Sequence, residues 1–234
     1  MTLFIPSVLV DEKHDVFTDK TRMFLERNGE SITVYPDEPS MKKQKEKARE
    51  LSRDGDFLVG WSSGANIALE LFEEEPEKYS GVLLLEFILD WYNNPIDQIL
   101  MSIPMEFLPK TAKRKIGSNK YIIKSLLDSM IETGVDEKDY ENMMKALKGQ
   151  GGEWLVDSVL SIKKETIFKD YTSRVRKIDE EFSDKIYGLC VTKPTKKYGR
   201  KLGIKNYHEL DGNHMIGYGP TAQEIHGKIL EILK

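Results

Sequence analysis

The chain has 234 residues, 39% of them hydrophobic and 32% charged, with a formal net charge of -4. That length suits one domain carrying an insertion, and the negative balance provides no field for holding a polyanion such as nucleic acid. The single cysteine, Cys190, excludes an intrachain disulfide and suits a reducing compartment.

In chain order, the first predicted element is a strand at Leu3-Phe4-Ile5, stopped by Pro6 and Ser7. The apolar start, Met1 to Val10, has neither a basic n-region nor a small-residue cleavage site, so no signal peptide is expected. A helix follows over Thr18–Asn28, with Asn28-Gly29 as its stop. Ile32-Thr33-Val34-Tyr35 is a β-branched strand ended by Pro36, and Ser40–Arg53 is a polar, lysine-rich helix. Phe57-Leu58-Val59 is the next strand. It runs into Gly60-Trp61-Ser62-Ser63-Gly64 and then a helix that ends before Pro76. Gly81–Leu85 is a continuous apolar run, the mark of a strand buried on both faces.

Strand and helix therefore alternate through the first 90 residues, which predicts a parallel sheet with helices on both faces. The alternation returns with strands at Lys185–Val191 and Asn206–Leu210 and a final helix at Thr221–Leu233. Between these parts no strand pattern appears. Periodic helical segments lie near 119–132, 137–148 and 153–169, with Gly149–Gly152 as a loop between two of them. The expected class is α/β: a mostly parallel central sheet with a helical insertion. Residues 1–90 and 185–234 form the core and residues 91–184 form a cap over the sheet's C-terminal edge, where open α/β sheets bind ligands.

The chemistry centres on Ser62. A serine between glycines at a sharp strand-to-helix turn becomes an exposed nucleophile, and the glycines are required because a Cβ at either place would clash. A serine hydroxyl needs a base within hydrogen-bond reach. Of the four histidines, His14 lies in an early loop, His208 inside a strand and His226 in the last helix. Only His214, in Gly212-Asn213-His214 after the last strand, has an address at the edge of the sheet where Ser62 stands.

On these residues the chain resembles the α/β-hydrolase family. The match covers Gly60-Trp61-Ser62-Ser63-Gly64 after a strand, and Gly212-Asn213-His214 after the last one, over roughly residues 1–90 and 185–234. The resemblance implies a sheet beginning at the family's third strand and a triad in the order Ser, acid, His. The family's usual acid follows its seventh strand, here Tyr187–Val191, but Thr192–Lys197 contains no carboxylate. A second family arrangement, found in thioesterase domains and some lipases, places the acid after the sixth strand. That arrangement points to Glu86, with Asp90 as the alternative. The oxyanion hole would use the backbone N–H of Ser63 and one from Ser7 or Val8, since Pro6 cannot donate. Trp61 would touch substrate.

The resemblance implies a carboxylesterase or acyl-thioesterase that needs no cofactor. The alternative is a hydrolase scaffold that lost its triad and only binds. No spacing of histidines, cysteines and carboxylates suggests a metal. Lys110, Lys113, Arg114, Lys115, Lys120 and Lys124 form a basic segment without an acid, either a solvated helix face or a docking patch for an acyl carrier protein or coenzyme A. Met101, Met105, Met130, Met143 and Met144 in the same block either fill core gaps or line an acyl pocket. No apolar run approaches the roughly 20 residues of a membrane span, and a cytoplasmic location is expected.

Overall fold

The computed structural model describes residues 1–87, 107–132, 134–166 and 169–234. Six strands, β1 (Thr2–Ile5), β2 (Ser31–Thr33), β3 (Phe57–Trp61), β4 (Gly81–Leu85), β5 (Ile186–Cys190) and β6 (Asn206–Glu209), form one sheet. Their order is β2-β1-β3-β4-β5-β6, and every neighbouring pair is parallel. The central strands are apolar on both faces because helices cover both. All five residues of β4 are buried, whereas the edge strands β2 and β6 are short and only half-buried.

Helices α1 (Asp19–Asn28), α2 (Met41–Leu51) and α3 (Ser63–Glu74) connect the first four strands. The Ser40 hydroxyl accepts from the Lys43 N–H and starts α2, which buries Met41, Gln44 and Ala48 at helical spacing. On one flank α1 packs against α10 (Ala222–Ile232), with Phe24 stacked on His226 at 4.3 Å. Burial pushes the His226 imidazole down to about 4, so this ring packs as a neutral side chain. On the other flank α2 packs against α3, and α3 is tied to α8 (Tyr171–Glu181). Glu70 of α3 accepts from Lys45 at 2.8 Å, Lys169 at 2.6 Å and the Tyr171 hydroxyl at 2.8 Å. Burial alone would raise its carboxyl, but these donors hold it down at about 2.

Between β4 and β5 the described residues form α4 (Lys110–Gly117), α5 (Lys120–Ser129), α6 (Glu137–Gln150), α7 (Gly152–Thr166) and α8. The loop expected at Gly149–Gly152 shrinks to Gly151 alone, at φ 92°. Gly149 belongs to α6 and Gly152 to α7. Gly152 is a glycine because α7 crosses α4 there: a Cβ on Gly152 would stand 2.4 Å from the Arg114 carbonyl oxygen. The insertion is tied to the segment after β1 and to the start of α2. Ser158 donates to the Val8 carbonyl at 3.1 Å, and Ser161 accepts from the Met41 N–H at 2.8 Å.

Three helices escape the sequence pattern as read above: α4, α8 and α9 (Lys193–Leu202). The first part of the basic segment acquires acids from far along the chain: Lys113 pairs with Asp157 at 2.6 Å, and Lys110 and Arg114 share Glu153. Lys124 pairs with Asp128 one turn further along α5. Met143 is buried in the core, while Met101, Met105 and Asp90 lie outside the described residues. Among the described residues no helix is long and apolar enough to cross a membrane.

Candidate active site

The turn after β3 brings three backbones into contact. A Cβ on Gly60 would lie 2.5 Å from the Ala65 Cα, and one on Gly64 would lie 2.0 Å from the Ile5 carbonyl oxygen. Glycine at both positions lets the end of β1 and the start of α3 meet. Between them Ser62 sits at φ 58°, ψ -123°, a conformation that L-residues avoid. Its N–H donates to the Leu85 carbonyl at 2.9 Å, so β4 helps hold the turn. A serine preceding a helix ordinarily caps it, yet Ser62 makes no side-chain cap bond. The unusual backbone turns its hydroxyl away from the helix, into a pocket it shares with His214.

His214 lies between β6 and α10 and is held at three points. Its N–H donates to the Met130 carbonyl at 2.9 Å, and its own carbonyl accepts the Trp61 indole N–H at 2.7 Å. Its Nδ1 lies 3.0 Å from Glu86 Oε2. A carboxylate only accepts, so Nδ1 donates, and in the neutral imidazole the lone pair then stands on Nε2. Nε2 is buried and has no hydrogen-bond partner among the described residues.

Glu86 follows β4 directly and is fully buried, at φ 47°. Its second function is filling the loop after β5. The N–H groups of Val191 and Thr192 (the latter at 3.1 Å), the Thr192 hydroxyl at 2.8 Å and the Thr195 hydroxyl at 2.7 Å all donate to it. Thr192 precedes α9, whose N-terminal dipole also favours a negative charge. Burial opposes ionisation. The His214 Nδ1–H, the Thr195 hydroxyl and the Val191 N–H together outweigh it and hold the carboxyl below its usual range. The loop that lacks an acid thus supplies donors to an acid on the neighbouring strand.

The structure brings Ser7, Trp61, Ser62 and His214 together around one pocket, with Ser63 behind Ser62 at the start of α3. The Val8 N–H, one of the expected oxyanion donors, is turned elsewhere: it donates to the Ser63 hydroxyl at 3.1 Å. Trp61 does more than line the pocket, because its indole also fixes the histidine loop, with the two rings 5.2 Å apart. Trp61→Phe keeps an aromatic side chain but removes the N–H, leaving a buried carbonyl short of a donor. We expect it to lower the unfolding free energy by about 1–3 kcal/mol, read from urea midpoints.

The rest of the wall is apolar. Leu9, Val10 and Phe17 come from the segment between β1 and α1, and Leu126, Met130 and Leu147 from the insertion. No lysine, arginine, aspartate or glutamate joins them among the described residues. Cys190 is a small buried core residue, and burial pushes its thiol well above the usual range. His14 pairs with Asp11 at 2.9 Å, and His208 lies in β6. No three histidine, cysteine or carboxylate side chains converge as a metal site among the described residues.

No protein-family model and no curated protein sequence matches this chain. Solved structures do. A carboxylesterase of the thaumarchaeon Nitrososphaera gargenis matches with a TM-score of 0.67 at 12% identity, covering 99% of this chain and 89% of that one. A 2-hydroxy-6-oxo-6-phenylhexa-2,4-dienoate hydrolase of Rhodococcus sp. strain RHA1 matches with the same TM-score, identity and coverages. A haloalkane dehalogenase variant of Bradyrhizobium elkanii matches with a TM-score of 0.62 at 16% identity, covering 99% of this chain and 89% of that one. Hydrolases of several kinds share this scaffold, and likeness at such low identity carries the fold rather than the substrate. The chain has the α/β-hydrolase fold.

Proposed function

We propose that this protein is a serine hydrolase that cleaves a carboxylic ester or an acyl thioester through an acyl-enzyme on Ser62. The observation that carries this reading is His214: its Nδ1 is bound to a buried carboxylate, and its Nε2 is left unpaired beside the pocket that Ser62 lines. In the first step the Ser62 oxygen bonds to the substrate carbonyl carbon as His214 Nε2 takes the hydroxyl proton. The tetrahedral oxyanion collapses, and the leaving alcohol or thiol departs with that proton. Water then adds to the acyl-enzyme by the same route, releasing the acid and restoring Ser62. Glu86 holds the imidazole in the required tautomer and stabilises the imidazolium. The Ser63 N–H, at the start of α3, is one oxyanion donor.

The apolar wall favours an uncharged acyl group. Docking of an acyl carrier protein or coenzyme A on residues 110–124 has less support, because Lys110, Lys113, Arg114 and Lys124 already hold carboxylates. An ester is the favoured substrate. The acid-free loop at 192–197 would favour a scaffold that only binds, but Glu86 reaches both that loop and His214, which supports the hydrolase reading instead.

A fluorophosphonate probe tests the proposal. The unmutated protein should be labelled at Ser62. Ser62→Ala should abolish labelling and His214→Ala should slow it severely. An unmutated protein that takes no label, or a Ser62→Ala variant that still does, would overturn the assignment.

A further inference from the structure

We infer that the side-chain hydroxyl of Ser7 is an oxyanion donor beside the Ser63 N–H. The inference rests on the serine-hydrolase reading above. Ser7 and Ser63 are both buried, and their hydroxyl oxygens lie 2.9 Å apart. The end of β1 and the start of α3 touch at Gly64, so Ser7 stands directly beside the helix terminus that presents the Ser63 N–H.

The neighbours leave one bond to be placed between the two hydroxyls. The Val8 N–H donates to the Ser63 oxygen at 3.1 Å, and the Leu9 N–H donates to the Ser7 oxygen at 3.3 Å. Each oxygen thus already accepts one bond, and one shared bond remains between them. Ser7 lines the pocket with Ser62 and His214, whereas Ser63 lies within the first turn of α3. If Ser63 donates to Ser7, the Ser63 hydroxyl is satisfied in both directions. The Ser7 oxygen then accepts twice and its proton is left over on the pocket side. Accepting two bonds also polarises that O–H and strengthens it as a donor. The oxygen of a tetrahedral intermediate would supply the missing acceptor. The same network spends the Val8 N–H on Ser63, which removes it from the competition for that role.

The test compares the unmutated protein with Ser7→Ala on p-nitrophenyl acetate and butyrate. It also measures inhibition by an alkylboronic acid, whose adduct with a serine mimics the tetrahedral intermediate. Loss of one preorganised donor should lower kcat by about 10²–10³-fold with KM within about threefold, and should weaken the boronic acid by a comparable factor. A purely structural role for Ser7 would instead lower kcat and leave the boronic acid unaffected. Ser7→Cys, near in size and only a weak donor, gives the same readings should the alanine variant not fold. A loss in kcat below about tenfold, or unchanged boronic-acid affinity, overturns the inference while leaving Ser62 in place. Absence of Ser62-dependent turnover in the unmutated protein removes the serine-hydrolase reading and this inference with it.

Discussion

Ser62→Gly is expected to abolish turnover and to make the protein more stable. Loss of a hydrolase nucleophile costs on the order of 10⁶ in kcat. The stability gain comes from the backbone. At φ 58°, ψ -123° a residue with a Cβ carries strain of about 1–3 kcal/mol. Glycine adopts that conformation freely, and gives back about 0.5–1 kcal/mol through the greater freedom of its unfolded chain. A net gain of about 1 kcal/mol remains, which for a chain of this size raises Tm by about 2–4 °C. Ser62→Ala keeps the Cβ and hence the strain. It should lose activity equally and leave Tm near that of the unmutated protein. Activity assays paired with thermal unfolding of both variants check this. Equal Tm values for the two would show that the turn stores no strain to release.

The central strands were legible because each is a short apolar run with its own stop. Leu3-Phe4-Ile5 ends at Pro6, and Gly81–Leu85 is apolar without interruption because helices cover both faces. The serine turn was legible for the same local reason: two glycines mark where backbones touch, at Gly60–Ala65 and Gly64–Ile5. What escaped was decided by contacts distant in sequence. Helix α9 follows Thr192, opens with Lys193-Pro194 and ends with Arg200-Lys201-Leu202 before Gly203, which lies in the left-handed region at φ 73°. Those are ordinary start and stop signals, but its lysine-rich surface hid the face formed by Thr195, Gly199 and Leu202. The acids that neutralise Lys110, Lys113 and Arg114 sit roughly 40 residues further on, and no local pattern announces them. The Val8 N–H looked available as an oxyanion donor because nothing in the sequence shows that the Ser63 hydroxyl would accept it.

Glu86→Gln is the prediction that bears most directly on how the histidine is steered. The amide has the size of the acid, so the pocket around it stays filled. Its oxygen still accepts from the Val191 N–H and the Thr195 hydroxyl, but its NH₂ group then faces His214 Nδ1. Two donors cannot share that bond, so the imidazole is driven to carry its proton on Nε2 and can no longer deprotonate Ser62. By analogy with other triads, kcat should fall by about 10⁴-fold with little change in KM. The stability effect has a defined pH dependence. The folded carboxyl lies below its ordinary value of 4.5, so the unfolded chain binds its proton first as the pH falls. The stabilisation from Glu86 is therefore complete above about pH 5 and is lost as the pH drops through the lower, folded value. Urea unfolding at pH 7 should show the glutamine variant weaker by about 1–3 kcal/mol, since charged bonds to Thr192, Thr195 and His214 become neutral ones. At more acid pH the two proteins should converge. A gap that stays constant down to pH 3 would mean that Glu86 is not held ionised by these donors. A glutamine variant that keeps full kcat would mean that another residue orients His214.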